Sequence, residues 1–465
     1  REMWDDSTLP AVRGTLVTIP HERVVHRPAR PIRDPVKLKA FTEIIQSMLR
    51  RGIIRPSSSP YNHQAFLVPK QCPKSDSASD TWRLVNDLSG LNQVMRQLKI
   101  DPPPVSAIFS ALQGSNTYSA LDMVQSFWQM RIDDQSAPAT AFQVPPMDRY
   151  EFVRAPMGMQ SSSSWMERNV RRVLSGFDTI YAVHYLDDIL CFSGDAIDPS
   201  DERSRIARHL EITEKVLNRL WSFGVTLGVR KCTWAQPSAD FLGHRVNADG
   251  IQPLPRLCQG IADLSEPASL ADLERLIGML RFQAKFIPKF SDRLEPLQAK
   301  LSDLLSSGRS SASKARISLS DEERAAFADL KGTITDFMTE PTTLYHMQWH
   351  RTLHLESDAS EKAIAGWAFQ YDIDDDEAEK LSQEDLKSHI HPVAFVSRRL
   401  KRTERLWNKP CGNIPCSAAE ALSDLHDDPS RTADIGPGNG VTELECLAAL
   451  FLIEQVSDFV EGARR

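Results

Sequence analysis

The chain has 465 residues, of which 41% are hydrophobic and 25% are charged, and its formal net charge at pH 7 is −7. This length predicts about two to four domains with sizeable cores. No apolar run is long enough to span a membrane, the N-terminal sequence REMWDDSTLP lacks the layout of a signal peptide, and seven scattered cysteines do not suggest a disulfide framework. We therefore expect a soluble intracellular protein without a membrane partner.

The first part of the chain predicts an arm, a helix and a strand. Residues 1–35 are rich in proline, arginine and histidine without periodicity, which indicates an extended arm. Lys37–Arg51 has apolar residues at nearly helical spacing, and Gly52 marks the end of this helix. A turn and a strand follow, and the polar loop Gln71–Asp80 separates them from the segment Trp82–Asn92.

Charge is distributed unevenly along the chain. Residues 1–70 hold twelve lysines and arginines against six aspartates and glutamates, whereas acidic side chains are concentrated in Asp372–Glu379. A basic N-terminal part in an acidic chain is compatible with a positively charged surface that binds phosphate groups. Many solvated surfaces have a similar distribution, so charge alone does not decide whether the partner is a nucleic acid.

Two acidic motifs interrupt strand-like apolar runs. Asp122 lies in the run TYSALDMVQSFWQMRI, and Asp187 and Asp188 lie in YAVHYLDDILCFS. The β-branched and aromatic residues around the second motif predict two buried strands joined by a hairpin at Leu186-Asp187-Asp188. We expect Asp122 to lie against this hairpin in the same sheet.

Carboxylates this close to one another need a compensating charge. They repel each other and are costly to desolvate, so a bound divalent cation is the natural partner. An isolated Asp-Asp pair is more often a solvated turn, and the second motif upstream is what favours the metal. Three carboxylates could hold two Mg²⁺ ions, with Mn²⁺ as a substitute, and support in-line phosphoryl transfer.

Further elements follow the hairpin. Apolar spacing predicts a helix over His209–Leu220 and two helices from Ser269 onward, broken near Pro288. Ser306–Ser313 has the composition of a linker, and SLSDEE at Ser318 has the form of a capped helix start.

The ordered motifs resemble those of a known family. YLDDIL, with SALDMVQSFWQM upstream and FLGH downstream, resembles the palm of a reverse transcriptase. The residues of these motifs are most similar to those of gypsy-type LTR retroelements. The resemblance covers roughly Pro56 to Gly462. It implies an RNA-directed DNA polymerase in which Asp122, Asp187 and Asp188 are catalytic and bind Mg²⁺. It also implies deoxynucleoside triphosphates and an RNA or DNA template-primer duplex as partners, and a location in the cytoplasm, a retroelement particle or the nucleus.

The resemblance also assigns roles around the nucleotide. Lys70 and Arg83 match residues that grip the triphosphate, although both could be ordinary surface charges. Phe127 matches an aromatic residue that blocks a ribose 2′-hydroxyl, and a core phenylalanine is nearly as common. Met157 lies in a turn that shapes the nucleotide pocket.

The match to the primer site is Leu242 and Gly243 in FLGH. Glycine permits the protein backbone to approach the primer closely. A hairpin turn without a ligand is the alternative.

A third acidic site resembles the start of a ribonuclease H domain. Asp358 lies in LHLESDASEKAIAGWAFQ, and Glu445 in TELECLAALFLIEQ is the match for a second metal ligand, with Glu420 as a weaker rival. Each could equally be a surface carboxylate. The sequence ends at Arg465, before the remaining carboxylates of such a domain, so we expect weak or absent ribonuclease H activity.

Together these features predict an α+β fold, a right-hand polymerase with fingers, palm and thumb, followed by a connection and an incomplete ribonuclease-H-like α/β domain. The expected boundaries are 1–55 for the arm and helix, 56–248 for fingers and palm, 249–340 for thumb and connection, and 341–465 for the last domain. The alternative is a decayed or domesticated retroelement protein that binds nucleic acid or a partner without catalysis. Departures from the family pattern at Leu88, Ser89 and Ser161–Ser164 favour it, and the three intact aspartates oppose it.

Overall fold

The structure is a computed structural model that describes residues 10–70, 81–194, 201–309, 316–404 and 440–461, without positions 15, 21, 22, 97, 178, 307 and 402. The chain divides into two compact units, Arg1–Leu242 and Gly243–Arg465. The finer boundaries expected from the sequence stay predictions. Glu420 lies outside the described residues, as does most of the expected linker at Ser306–Ser313.

The first unit mixes short strands with helices on a shared core. Its described strands are β1 (Leu16–Val17), β2 (Ile54–Pro56), β3 (Gln64–Pro69), β4 (Trp82–Asp87), β5 (Ser115–Asp122), β6 (Arg131–Ile132), β7 (Phe142–Gln143), β8 (Arg149–Phe152), β9 (Ala182–Tyr185), β10 (Asp188–Gly194) and β11 (Ser238–Phe241). Its described helices are α1 (Pro35–Arg50), α2 (Ser89–Val94), α3 (Val105–Ala111), α4 (Ser162–Leu174) and α5 (Glu202–Ser222).

Helix α1 begins and ends where the sequence predicts, within two residues. The side chain of Asp34 accepts hydrogen bonds from the backbone N–H groups of Val36 and Lys37, and proline occupies the first helical position. Gly52 follows the helix with a φ of +63°. Phe41 and Ile45 on one face of α1 are almost fully buried in the core of the first unit.

The central sheet of the first unit has the strand order β5-β10-β9, and both pairings are antiparallel. Ile189, Leu190 and Cys191 in β10 are fully buried, and so is Tyr118 in β5. The predicted hairpin of two buried strands is therefore confirmed, as is the prediction that Asp122 joins the same sheet.

Smaller sheets surround this one. Strands β3 and β4 form an antiparallel hairpin, and β2, β8 and β7 form a second antiparallel sheet. The N-terminal arm contributes β1, which pairs in parallel with β6. Val12, Val17 and Ile19 of the arm are buried, so the extended arm is part of the core.

The serine run Ser161–Ser164 predicts a helix from Trp165 to Leu174 with a serine as its N-cap. The observed helix α4 instead begins at Ser162, and the side chain of Ser161 makes no capping bond. The hydroxyl of Ser161 instead accepts a hydrogen bond from the backbone N–H of Leu98, and that of Ser162 donates to the carbonyl of Pro156. Both serine hydroxyls therefore bond to backbone groups outside helix α4.

The second unit also combines strands and helices. Its described strands are β12 (His244–Asn247), β13 (Gly250–Pro253), β14 (Leu344–Tyr345), β15 (His354–Ala359), β16 (Ala363–Tyr371) and β17 (Ile390–Arg399). Its described helices are α6 (Pro255–Ala262), α7 (Leu270–Gln283), α8 (Phe290–Arg293), α9 (Glu295–Ser306), α10 (Asp321–Asp336), α11 (Asp375–Ala378), α12 (Gln383–Leu386) and α13 (Gly440–Glu461).

Two helix predictions are confirmed in the second unit. The helical stretch from Ser269 is interrupted around Pro288, between the end of α7 and the start of α8. Helix α10 starts with a capping box in which Ser320 and Glu323 bond each other's backbone N–H groups. Helices α6 to α10 share one hydrophobic cluster that includes Leu273, Phe286 and Leu330.

The sheet β15-β16-β17 is antiparallel throughout, and α13 packs on one of its faces. Leu452 of α13 lies against Gly366, and Leu444 and Ala448 share a cluster with Ile364. Among the helices that the structure describes, none has both the length and the apolar character needed to cross a bilayer.

Candidate active site

The turn between β9 and β10 carries the adjacent aspartates. Tyr185 and Asp188 are paired across the strands, so Leu186 and Asp187 form a two-residue turn. Leu186 has a φ of +57°, whereas the φ of Asp187 is not positive. A positive φ at the first turn residue alone is the pattern of a type II′ turn. That turn usually has glycine first, and a left-handed non-glycine residue costs about 1–2 kcal/mol. The surrounding structure must hold Leu186 in this conformation.

Asp122 at the end of β5 is paired in register with Asp188 at the start of β10. Cross-strand partners point to the same face of a sheet, and like charges in such positions destabilise it. Partial desolvation raises the pKa of Asp188, and the charges of Asp187 and Asp122 raise it further. The residue as a whole remains exposed, and its carboxyl group is only partly desolvated.

Two other side chains contact the aspartates. The hydroxyl of Ser126 donates to Oδ2 of Asp187 at 2.8 Å, and Nζ of Lys231 lies 3.2 Å from Oδ2 of Asp122. Sequence reasoning missed both residues. Ser126 follows Asp122 by four positions, which was a usable signal, whereas Lys231 lies on a loop whose position depends on the folded sheet.

The aspartates provide suitable donors for a hard divalent cation. Three carboxylates meet at one end of one sheet, and desolvation together with their mutual repulsion raises the pKa of Asp188. As the side chains stand, no three acidic, histidine or cysteine groups in the described ranges are arranged to chelate an ion. Asp187 accepts a hydrogen bond from Ser126, and Asp122 forms an ion pair with Lys231. Exposed ion pairs of this kind contribute little to the free energy of folding. The donor chemistry fits Mg²⁺, which needs these two carboxylates to turn towards it.

Lys70 and Arg83 lie on the β3–β4 hairpin. The backbone N–H of Lys70 donates to the carbonyl of Thr81 at 2.9 Å, and Arg83 is the cross-strand partner of Val68. By strand alternation, the side chains of Lys70, Val68 and Arg83 occupy one face of the hairpin. Phe66 on the same face is 41% exposed, and Arg83 is exposed as well. The structure thus brings the two predicted cations together on an open surface.

Phe127 and Met157 occupy different surroundings. Phe127 lies in a 3₁₀ turn, Ser126–Gln129, directly after Gln125 with a φ of +46°, and it is half-buried against the core of the first unit. Met157 is 46% exposed in a turn whose next residue, Gly158, has a φ of +88°. The side-chain amide of Asn92 donates to the carbonyl of Gly158 at 3.0 Å and fixes this turn.

Leu242 and Gly243 link the two units, and both have positive φ, at +48° and +76°. A Cβ atom added to Gly243 would lie 2.6 Å from Cζ of Phe282. This position therefore requires glycine for its backbone conformation and for its close approach to a neighbouring ring.

Asp358 and Glu445 do not share a face of the second unit. Asp358 is the partner of Ala365, whereas Gly366 and Ile364 face helix α13, so by alternation Asp358 points away from the helix that carries Glu445. Oδ2 of Asp358 instead lies 2.7 Å from Nζ of Lys289. Glu445 is exposed.

A cavity of about 400 Å³ lies beside this ion pair. Its wall includes Lys289, Asp358, Glu356 and the aromatic rings of Trp367 and Phe395. The indole N–H of Trp367 donates to Oε2 of Glu356 at 2.8 Å. The carboxylates on this face are thus already paired with donors of the second unit.

Comparison with known proteins gives one family match. Residues 30–246 match the profile described as "Reverse transcriptase (RNA-dependent DNA polymerase)". This range includes the three aspartates, both cations of the β3–β4 hairpin and the Leu242–Gly243 link.

Similar curated proteins are polyproteins. The retrovirus-related Pol polyprotein from transposon opus of Drosophila melanogaster is 29% identical over 374 residues, which cover 80% of this chain and 34% of the polyprotein. The Pol polyprotein from transposon gypsy of the same organism is 26% identical over 400 residues, covering 85% and 35%. The enzymatic polyprotein of cauliflower mosaic virus (strain D/H) is 28% identical over 273 residues, covering 58% and 38%. The chain spans about a third of the length of these relatives.

Solved structures share the fold. A foamy viral protease-reverse transcriptase in complex with an RNA/DNA hybrid matches with a TM-score of 0.70 at 18% identity, over 98% of this chain and 52% of that one. A second structure of such a protein, in complex with double-stranded DNA, matches with a TM-score of 0.64 at 20% identity, over 85% and 61%.

Proposed function

We propose that this chain is the polymerase part of a retroelement polyprotein, since residues 30–246 match the reverse transcriptase family. It extends a primer 3′-hydroxyl with deoxynucleotides along an RNA template. The observation that carries the proposal is the register of β5 and β10, which places Asp122 directly beside Asp188, with Asp187 in the adjoining turn. A non-enzymatic binding protein would have no use for three carboxylates held against their mutual repulsion.

Asp122, Asp187 and Asp188 hold two Mg²⁺ ions in this proposal, and Mn²⁺ can replace them. Reverse transcriptases as a family depend on divalent ions, which activate the attacking hydroxyl and stabilise the leaving oxygen. Without an ion, the carboxylates of Asp187 and Asp122 contact Ser126 and Lys231 instead.

The β3–β4 hairpin, described at residues 64–70 and 81–87, binds the incoming triphosphate through Lys70 and Arg83. A guanidinium suits phosphate oxygens because it can donate two parallel hydrogen bonds. Phe127 limits the pocket at the sugar, where a rigid ring excludes a ribose 2′-hydroxyl, and Met157 lines the nucleotide side of the same pocket.

Leu242 and Gly243 support the primer end in this proposal, which follows from the match of FLGH to the primer site of reverse transcriptases. The template-primer duplex is the expected nucleic-acid partner. Foamy viral protease-reverse transcriptases with the same fold have been solved with an RNA/DNA hybrid and with double-stranded DNA.

Ribonuclease H activity is weak in this proposal. Asp358 pairs with Lys289 and points away from the helix of Glu445, so the two carboxylates do not converge on one ion. Incubating the chain with a labelled RNA–DNA hybrid and Mg²⁺ tests this, and rapid cleavage that is lost in Asp358→Asn would contradict it.

Primer extension on a poly(rA) template with an oligo(dT) primer tests the polymerase assignment. Asp187→Asn should abolish incorporation with Mg²⁺ or Mn²⁺ while circular dichroism shows an unchanged fold. Asp376→Asn is the matched control, because Asp376 is an exposed aspartate of the second unit. Extension that persists in Asp187→Asn would refute the assignment.

A further inference from the structure

Glu167 is a completely buried carboxylate in the middle of helix α4, with 0% of its surface exposed. Three donors from different places surround it. Nη2 of Arg171, one helical turn later, lies 2.9 Å from Oε1, and Nε2 of His184 in β9 lies 3.2 Å from the same atom. The third donor is the backbone N–H of Leu186, which is 3.4 Å from Oε2.

The third contact reaches the turn of the candidate active site. Leu186 is the residue with a φ of +57° that precedes Asp187. A bulky side chain disfavours this backbone conformation, which glycine adopts freely. The hydrogen bond to Glu167 forms only while the N–H of Leu186 points towards helix α4, so it fixes the peptide plane that leads into the left-handed residue of the turn.

The charge of Glu167 is retained in its buried position. Burial alone raises the pKa of this carboxyl, but the hydrogen bonds and charges of His184 and Arg171 outweigh burial, and the net pKa lies below its ordinary value. An ionised carboxylate accepts from all three donors at once, and a neutral side chain of the same size does not.

We propose that Glu167 is a positioning residue for polymerisation, which holds the Leu186–Asp187 turn in the conformation that presents Asp187 beside Asp122 and Asp188. The inference rests on the proposed polymerase function. Glu167 acts through the backbone of Leu186 and touches no substrate. Ser126 holds the side chain of Asp187, and Glu167 holds the backbone of the preceding residue, Leu186.

The first test is Glu167→Gln in steady-state primer extension. Glutamine keeps the shape but has one acceptor oxygen for three donors. We expect kcat to fall about 10- to 100-fold, as for a small misplacement of a reacting group. The KM for the deoxynucleotide should stay within about twofold, because the β3–β4 hairpin is untouched.

Glu404→Gln is the matched control. Glu404 is also buried, with 7% exposure, and it accepts from Arg398 Nη1 at 2.8 Å and from the backbone N–H of Lys401 at 2.6 Å. It belongs to the second unit, whereas the sheet of the aspartates belongs to the first. This substitution should lower thermal stability as much as Glu167→Gln and leave kcat unchanged.

A double-mutant cycle with Leu186→Gly separates positioning from general stability. Glycine adopts the left-handed conformation without help, so Glu167→Gln should reduce kcat by less than about threefold in the Leu186→Gly background. Equal losses of kcat in both backgrounds would overturn the proposal. So would a Glu167→Gln variant that retains full kcat, or one whose loss lies entirely in KM.

The two proposals fail in different ways. If the unaltered chain extends no primer, the polymerase function fails and the role of Glu167 in it fails too. If the unaltered chain is active and Glu167→Gln is equally active, only the present inference fails. Hydrogen exchange gives an independent readout, because the amide of Leu186 should lose protection in Glu167→Gln and keep it in Glu404→Gln.

Discussion

His209 predicts a specific acid sensitivity of the first unit. The residue lies on helix α5 with 0% exposure. Its Nε2 is 2.8 Å from the hydroxyl of Ser119 in β5, and its Nδ1 is 2.9 Å from the hydroxyl of Ser193 in β10. Desolvation lowers the pKa of this imidazole to about 4. His209 is therefore neutral in the folded protein at pH 7 and joins the two strands that carry the aspartates.

The sign of the pH effect follows from the lowered pKa. In the unfolded chain His209 takes up a proton near pH 6.5, while in the folded protein it does so only near pH 4. The unfolded state thus binds more protons between these values, and the stabilisation present above pH 6.5 is lost as the pH falls towards 4. At about 1.4 kcal/mol for each pKa unit, the loss approaches roughly 3 kcal/mol.

Urea unfolding at pH 7 and pH 4.5 measures this loss. Other groups titrate as well, so the informative quantity is the difference between the unaltered chain and His209→Gln. Glutamine can bond both serines but has no proton to gain, so His209→Gln should be less stable at pH 7 and lose about 2 kcal/mol less on acidification. His350→Gln, at an exposed histidine, is the control and should change neither value. Parallel pH dependences for His209→Gln and the unaltered chain would refute the reasoning.

Three further predictions concern other parts of the chain. If Phe127 excludes the ribose hydroxyl, Phe127→Val should raise ribonucleotide incorporation relative to deoxynucleotide incorporation by about tenfold or more, measured as a ratio of kcat/KM values; an unchanged ratio would contradict this role. Gly243→Ala should lower the free energy of unfolding by about 1–3 kcal/mol, because the added Cβ would meet Phe282 at 2.6 Å and the φ is +76°; equal urea midpoints would contradict it. Ser320→Ala should cost about 1 kcal/mol through loss of the capping box, with primer extension unchanged.

The proximity of Asp122 to the Asp187-Asp188 pair could be predicted because it follows from local sequence patterns. Apolar alternation fixes which face of each strand is buried, and the polar residue at the end of each run marks where the strands leave the core. Asp122 and Asp188 are therefore placed by the same rule, and the structure pairs them in register. The left-handed backbone of Leu186 was not predictable, since the turn residues contain no glycine or asparagine to indicate it.

Glu167 could not be placed in the core from local sequence alone. A glutamate in a helix with arginines nearby is typical of a solvated face, and its burial depends on His184, which lies seventeen residues later on another element. A signal was present in the pattern, because Met166, Val170 and Leu174 define the buried stripe of α4 and Glu167 belongs to it. An acidic residue on an apolar stripe indicates a buried network.

The face of the sheet on which Asp358 lies could also not be predicted from the local sequence. Strand alternation shows that residues 356 and 358 share a face, but it does not show which face helix α13 covers. That choice depends on the packing of Leu452 against Gly366 and on the ion pair of Asp358 with Lys289. Both contacts are long-range in the chain.

The contacts of the N-terminal arm determine at which residue a recombinant fragment of this protein should begin. The family match begins at residue 30, but the backbone of Val12 bonds to Gln129, and β1 pairs with β6 close to the 3₁₀ turn of Phe127. A recombinant piece trimmed to residues 30–246 would lack these contacts and would leave the edge of β6 uncovered. Bare strand edges recruit other chains, so such a piece should aggregate during expression. Soluble fragments of the first unit need to begin before Val12.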